Sequence, residues 1–159
     1  MSGVSSVVQR LRRREAIHVS SMPRLPSFHL LHLAGQRADN LFARQGLSVS
    51  PRQYVVLAVL EGWEGASQTD IVRATGIDRS TLVEVVKRLV AVGYVRRKRS
   101  KTDARAYVVR LTDSGRTVLD AGRHAATLTD ERLFEAVTAS HRARFLEELA
   151  RMAVKTRQV

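Results

Sequence analysis

Between Asp78 and Arg99 the chain carries side chains suited to recognition rather than to bond breaking. Ser80, Thr81, Val83, Glu84, Lys87 and Arg88 are interleaved with Leu82, Val85, Val86 and Leu89, whose three- and four-residue spacing defines one buried face of a helix. The first set falls largely on the opposite side. Its first four members stand near the helix N-terminus, the end that recognition helices press against base edges. Arg96, Arg97, Lys98 and Arg99 follow as an unbroken cationic run. Such a run repels itself in an isolated domain, and a phosphate backbone relieves that repulsion. Taken alone, it also fits a merely solvated basic hairpin. Directly after that helix, it points to nucleic acid.

These residues need elements to hold them. Ser67 and Asp70 form the S-x-x-D capping pattern that opens a short helix, with Ile71, Val72 and Ala74 as its apolar face. Gly76 supplies a left-handed turn, Asp78 caps the second helix, and Gly93 ends it. From Tyr94 the period becomes that of a strand. A polar turn at Ser100 to Ala104 leads to a return strand from Arg105 to Leu111, in which Tyr107, Val109 and Leu111 alternate with Ala106, Val108 and Arg110. That alternation predicts a two-stranded ribbon with one face on the core. Two capped helices leading into a basic hairpin predict a mainly α chain with a small β-hairpin wing: a winged helix-turn-helix.

The flanking segments are helical by pattern. Phe28, Leu31, Ala34, Ala38, Leu41 and Phe42 predict a long amphipathic helix from Phe28 to Gln45, closed by Gly46. Ser50 caps the next helix, with Pro51 at its first position and Tyr54, Leu57, Ala58 and Leu60 as its buried face, before a turn at Gly62 to Gly65. Thr112 caps a helix starting at Asp113, and the chain stays largely helical to about Lys155. Phe145, Leu146, Leu149 and Met152 form an interfacial stripe in the last helix. Apolar surface on both terminal helices exceeds what one small domain can cover, which predicts a homodimer with paired recognition helices.

Composition sets limits. With 159 residues and 44% hydrophobic content, the chain can bury one moderate core, as one globular domain or two interdigitated lobes. A formal net charge of +12 favours a polyanionic partner, and on charge alone RNA and a membrane surface remain open. No apolar run approaches the roughly 18 to 20 residues of a bilayer span, and no signal peptide is evident, so a cytoplasmic protein is expected. The absence of cysteine excludes disulfides, thiolate catalysis, thiol-based sensing and the usual cysteine-containing zinc sites. No cofactor is implied.

Residues 1–26 stand apart as a basic extension. Arg10, Arg12, Arg13 and Arg14 follow Val7, Val8 and Leu11, and Pro23 and Pro26 end the stretch. It fits a DNA-contacting arm, an extra dimer helix, a loose tail, or a start assigned too early with Met22 as the true initiator.

The run Asp78-Arg79-Ser80-Thr81-Leu82-Val83, through Arg88-Leu89 to Gly93-Tyr94-Val95, then Asp103-Ala104-Arg105 and Leu111-Thr112-Asp113-Ser114-Gly115, resembles the MarR family of bacterial winged-helix regulators. The likeness extends over about Phe28 to Met152. It implies a domain at 27–155, with a DNA-binding lobe at 47–112 and dimerisation helices at 27–46 and 113–155. It implies homodimers on pseudo-palindromic operators, usually repressors, many of them released by a small phenolic or carboxylate ligand. Ser80, Thr81, Val83 and Glu84 would lie in the major groove and Arg88 on phosphate. Arg105 would enter the minor groove, its guanidinium oriented by Asp103. Ser67, Gln68, Arg79, Lys87, Arg99 and Lys101 complete the expected DNA contacts. Val83 and Glu84 depart from the residues common there, a hydroxyl residue and a basic one. Val83 suits a thymine methyl and Glu84 a cytosine amino group.

By the same resemblance, an effector pocket lies between the dimerising helices and the DNA-binding lobe, with His29, His32, Arg52, Tyr54 and Trp63 as candidates. A cation or imidazole beside an aromatic suits an aromatic carboxylate. Each of them also has a plainer structural role: a lone histidine is more often a surface or core residue, and Trp63 can plug its turn. His29 and His32 can share a helix face, but two ligands do not make a metal site. No enzyme is expected: a phosphate-binding loop, a nucleophile elbow and a metal-binding helix motif are all missing, and the five histidines lack catalytic spacing. The competing reading is a nucleoid-coating protein that binds DNA without sequence preference. An RNA-binding module is disfavoured because Tyr94 and Tyr107 are the basic region's aromatics available for stacking on unpaired bases.

Overall fold

The computed structural model describes residues 24–63, 65–99 and 107–155. The elements are α1 (Ser27–Ala43), α2 (Pro51–Glu61), β1 (Ala66–Ser67), α3 (Gln68–Thr75), α4 (Arg79–Ala91), β2 (Val95–Arg99), β3 (Tyr107–Leu111), α5 (Asp113–Leu133), a 3-10 turn (Phe134–Ala136) and α6 (Ala139–Lys155). The basic extension before residue 24 and the expected wing-tip contacts Lys101, Asp103 and Arg105 lie outside the described residues.

Two compact units divide after Gly35, inside α1. Among the described residues, the first unit carries Phe28, Leu30, Leu31 and Leu33, all exposed in the single chain. The second holds the core, in which Val56, Leu57 and Leu60 of α2 meet Ile71 of α3, Leu82, Val86 and Leu89 of α4, Val95 and Val109 of the sheet, and Leu119 of α5.

Side-chain caps set where the helices begin. Ser50 Oγ accepts from Gln53 N at 3.3 Å while Gln53 Oε1 accepts from Ser50 N at 2.8 Å, and Pro51 follows where no N–H is needed. Ser67 and Asp70 repeat the device at α3, and Asp78 Oδ1 caps α4 by accepting from Thr81 N at 2.9 Å. Gly76, at φ 71, takes the left-handed turn between α3 and α4 that a side chain would resist. Thr112 caps α5 through Gly115 N at 3.0 Å, and its Oγ also reaches back to Gly93 O at 2.7 Å. That approach leaves no room at Gly115, where a Cβ would meet Tyr94 O at 2.0 Å.

Four expectations need correction. The wing is not a two-stranded ribbon: β1 joins it, giving the antiparallel order β1-β3-β2 with Ala66 opposite Val109 and Ser67 opposite Val108. Two residues are too few to show a period. Tyr107 does not share the burial of Val109 and Leu111 but is 45% exposed, because burial fades along β3 away from the helices; its ring instead lies 5.0 Å from the Arg97 guanidinium. In α2, Ala58 is exposed and Val56 is buried. The unbroken apolar run Tyr54–Leu60 leaves the phase of that helix undetermined by pattern. Helix α1 ends at Ala43 rather than Gln45, where a turn leads on to Gly46.

Candidate nucleic-acid interface

Helix α4 has two faces. Leu82, Val85, Val86 and Leu89 are buried, whereas Ser80, Val83, Glu84, Lys87 and Arg88 are exposed and Thr81 is half-buried. Asp78 fixes the start of this helix and orders Ser80 in its first turn, since Ser80 Oγ donates to Asp78 Oδ1 at 2.6 Å. Hydrogen bonds from Ser80 and Thr81 hold the Asp78 carboxyl well below the usual carboxylate range. The cap therefore remains charged, and the donated proton leaves the Ser80 oxygen as an outward acceptor. Glu84 is exposed and forms no ion pair with a described residue.

The helix-turn-helix is tied internally. Arg79 Nη2 donates to Thr69 Oγ1 at 3.2 Å, linking the start of α4 to α3. Ser67 is half-buried, and its hydroxyl both accepts from Asp70 N at 3.2 Å and donates to Asp70 Oδ2 at 2.6 Å. The Ser67 hydroxyl holds the Asp70 carboxyl below its ordinary range. Gln68, next to it, is half-buried at the helix start.

Strand alternation splits the cationic run. Arg97 stands opposite Val109 and Arg99 opposite Tyr107, on the sheet face whose base packs into the core; Arg96 and Lys98 stand opposite Arg110 and Val108, on the other face. All four cations are exposed.

The expected ligand residues are dispersed. His29 and His32 lie in the first unit with ring centroids 6.3 Å apart, and no group of three or more potential metal ligands occurs among the described residues. Within the second unit, Arg52 lines a 420 Å³ cleft with Gln53, Ser80, Thr81, Glu84 and Arg88. Tyr54 instead packs on Phe42, with centroids 5.1 Å apart, and burial raises its phenol pKa while Arg123 opposes the shift. Trp63, beyond the other end of α2, lines a separate 260 Å³ cleft with Glu61, Arg96, Arg110 and Arg116. Pattern reading did not single out Arg110 and Arg116 as site residues. The signal available was the β3 alternation that sets Arg110 opposite the core face.

Comparison with known proteins agrees with this geometry. A family model described as the MarR family matches residues 46–106. The chain is 32% identical over 126 residues to the HTH-type transcriptional repressor NicR of Pseudomonas putida, an alignment covering 78% of this chain and 80% of that protein. Among solved structures, Bordetella bronchiseptica BpsR, described for the regulation of its DNA binding by 6-hydroxynicotinic acid, matches with a TM-score of 0.75 at 28% identity, over 86% of this chain and 96% of that one. The transcriptional repressor CouR bound to a 23-mer DNA duplex matches with a TM-score of 0.73 at 29% identity, over 87% and 97% of the two chains. No helix among the described residues is long and apolar enough to cross a membrane. A capped helix-turn-helix with a polar reading face, a three-stranded wing and this extent of likeness to NicR establish that the chain belongs to the MarR family of transcriptional regulators.

Proposed function

We propose that this protein is a homodimeric repressor that reads a pseudo-palindromic operator in double-stranded DNA and lets go when a small aromatic carboxylate binds. The observation that carries this reading is α4, whose exposed Ser80, Val83, Glu84, Lys87 and Arg88 back onto a fully apolar buried stripe. Ser80, Thr81, Val83 and Glu84 meet base edges, and Lys87, Arg88 and Arg99 meet phosphates. Ser67, Gln68 and Arg79 brace the approach at the start of each helix. Lys101, Asp103 and Arg105 complete the contact at the wing tip.

A domain at 27–155 divides into a DNA-binding lobe at 47–112 and dimerisation helices at 27–46 and 113–155. Exposed apolar residues on α1 and α6 support the pairing: Phe28 and Leu31 on one, Phe145, Leu146 and Met152 on the other. Two copies set their reading helices about one duplex turn apart. The protein works in the cytoplasm, where the chromosome is, and without enzymatic activity. Of the expected effector residues, Arg52 lies in the cleft beside α4, and 6-hydroxynicotinic acid, the compound tied to BpsR, is the first probe.

Selection of bound sequences from randomised duplexes tests the proposal. A pseudo-palindromic motif bound about a thousandfold or more above random DNA is expected, whereas a ratio near unity is that of a coating protein and overturns the reading.

A further inference from the structure

The 260 Å³ cleft at the C-terminal end of α2 has a charge balance that the DNA-reading face does not explain. Arg96 and Arg110 are register partners across β2 and β3, and like charges placed directly opposite destabilise a strand pair. Arg116, in the opening turns of α5, brings a third guanidinium to the same walls. Glu61 is the acid among the described lining residues, and its carboxylate is already held by Arg123. Arg110 Nε is buried and has no hydrogen-bond partner among the described residues, packed where a Cβ on Gly65 would come within 3.1 Å. A buried guanidinium donor left without an acceptor costs free energy that a ligand oxygen restores.

From these observations we infer that the cleft binds a compact oxyanion carrying two or more negative charges, held by Arg96, Arg110 and Arg116 beside Trp63. Guanidinium forks match the paired oxygens of phosphate and carboxylate groups, and a single negative charge would leave the cleft strongly positive. The occupant is a free small molecule rather than a phosphate of the bound duplex. Arg96 and Arg110 sit on the sheet face opposite Val95 and Val109, which pack with α4 in the core, and the cleft shares no lining residue with the one along α4. Because α2, β2, β3 and α5 all contribute to its walls, an occupant fastens the wing to the helical body.

Equilibrium dialysis of the full chain with pyrophosphate and with citrate, at fixed ionic strength, tests the inference, with benzoate as the monovalent control. Saturable binding of the polyvalent anions, at least tenfold weaker for benzoate, is expected. Arg116→Gln should lower that affinity about tenfold and Arg116→Lys should recover part of it, while operator affinity and its salt slope without anion stay unchanged. Equal anion binding by Arg116→Gln overturns the inference. So does a salt slope for operator binding reduced by about one in Arg116→Gln, which assigns the side chain to a duplex phosphate. Glu64, beside Trp63 in sequence, lies outside the described residues and is a nearby carboxylate in the chain. Anion binding seen only in Glu64→Gln would also overturn the inference, because the chain would then supply its own counterion.

Discussion

The ring of Tyr54 closes on the α-carbon of Gly122, where a Cβ would stand 2.5 Å from Cδ2 and 2.7 Å from Cε2. This near contact lets α2 and α5 approach, and Glu61 and Arg123 pair between the same two helices. Gly122→Ala must push the ring aside, and we expect a loss of about 1–3 kcal/mol, read as a lower urea midpoint. Gly35→Ala, with nothing within 4 Å of the new methyl group, should be neutral or stabilising by about 0.5–1 kcal/mol. Equal losses at the two sites would mean that the close approach does not exist.

Acid should loosen the helix-turn-helix through its caps. Asp70 and Asp78 both have carboxyl pKa values depressed by hydrogen bonds, from Ser67 in one case and from Ser80 and Thr81 in the other. A depressed carboxyl contributes its full stabilisation above the unfolded value of about 3.9 and loses it as pH falls toward the folded value. Asparagine caps helices well but does not titrate, so Asp78→Asn should flatten the fall in urea midpoint below about pH 4 while changing little at pH 7. Parallel acid limbs for the two proteins would rule this out.

Base reading and phosphate contact separate by experiment. Glu84→Ala should change the preferred operator bases at one position per half-site, by about 1–3 kcal/mol of discrimination. Arg88→Ala should leave the preferred sequence alone and reduce the slope of log affinity against log salt by about 0.9. An unaltered selected motif in Glu84→Ala removes that residue from the readers.

The proposed dimer pairs the terminal helices. Phe145 and Leu146 of α6 are 44% and 47% exposed in the single chain, and a mass of two chains by light scattering at micromolar concentration is expected. Leu146→Glu should shift that mass toward one chain with the far-ultraviolet spectrum preserved, because the substitution lies outside the buried core. A wild-type mass of one chain would end the dimer reading.

Features that depend on local chemistry were legible in the sequence. The caps at Ser50, Ser67, Asp78 and Thr112 each act through a partner three residues on, so the motif contains its own geometry. The buried stripe of α4 was legible for the same reason: Leu82, Val85, Val86 and Leu89 recur at helical spacing. Features that depend on distant partners were not legible. The phase of α2 needed the rest of the core to choose between Val56 and Ala58. β1 exists because the open edge of β3 lies beside it. Arg110 and Arg116 are 6 residues apart in sequence, but their shared cleft with Arg96 follows from strand register and from where α5 starts.

Ser67 belongs at once to the sheet, opposite Val108, and to the first helix of the reading motif, as its cap. One residue is thus the hinge pin common to ribbon and reader: tilting one drags the other. Amide hydrogens of β3 and α3 should therefore exchange with solvent in step.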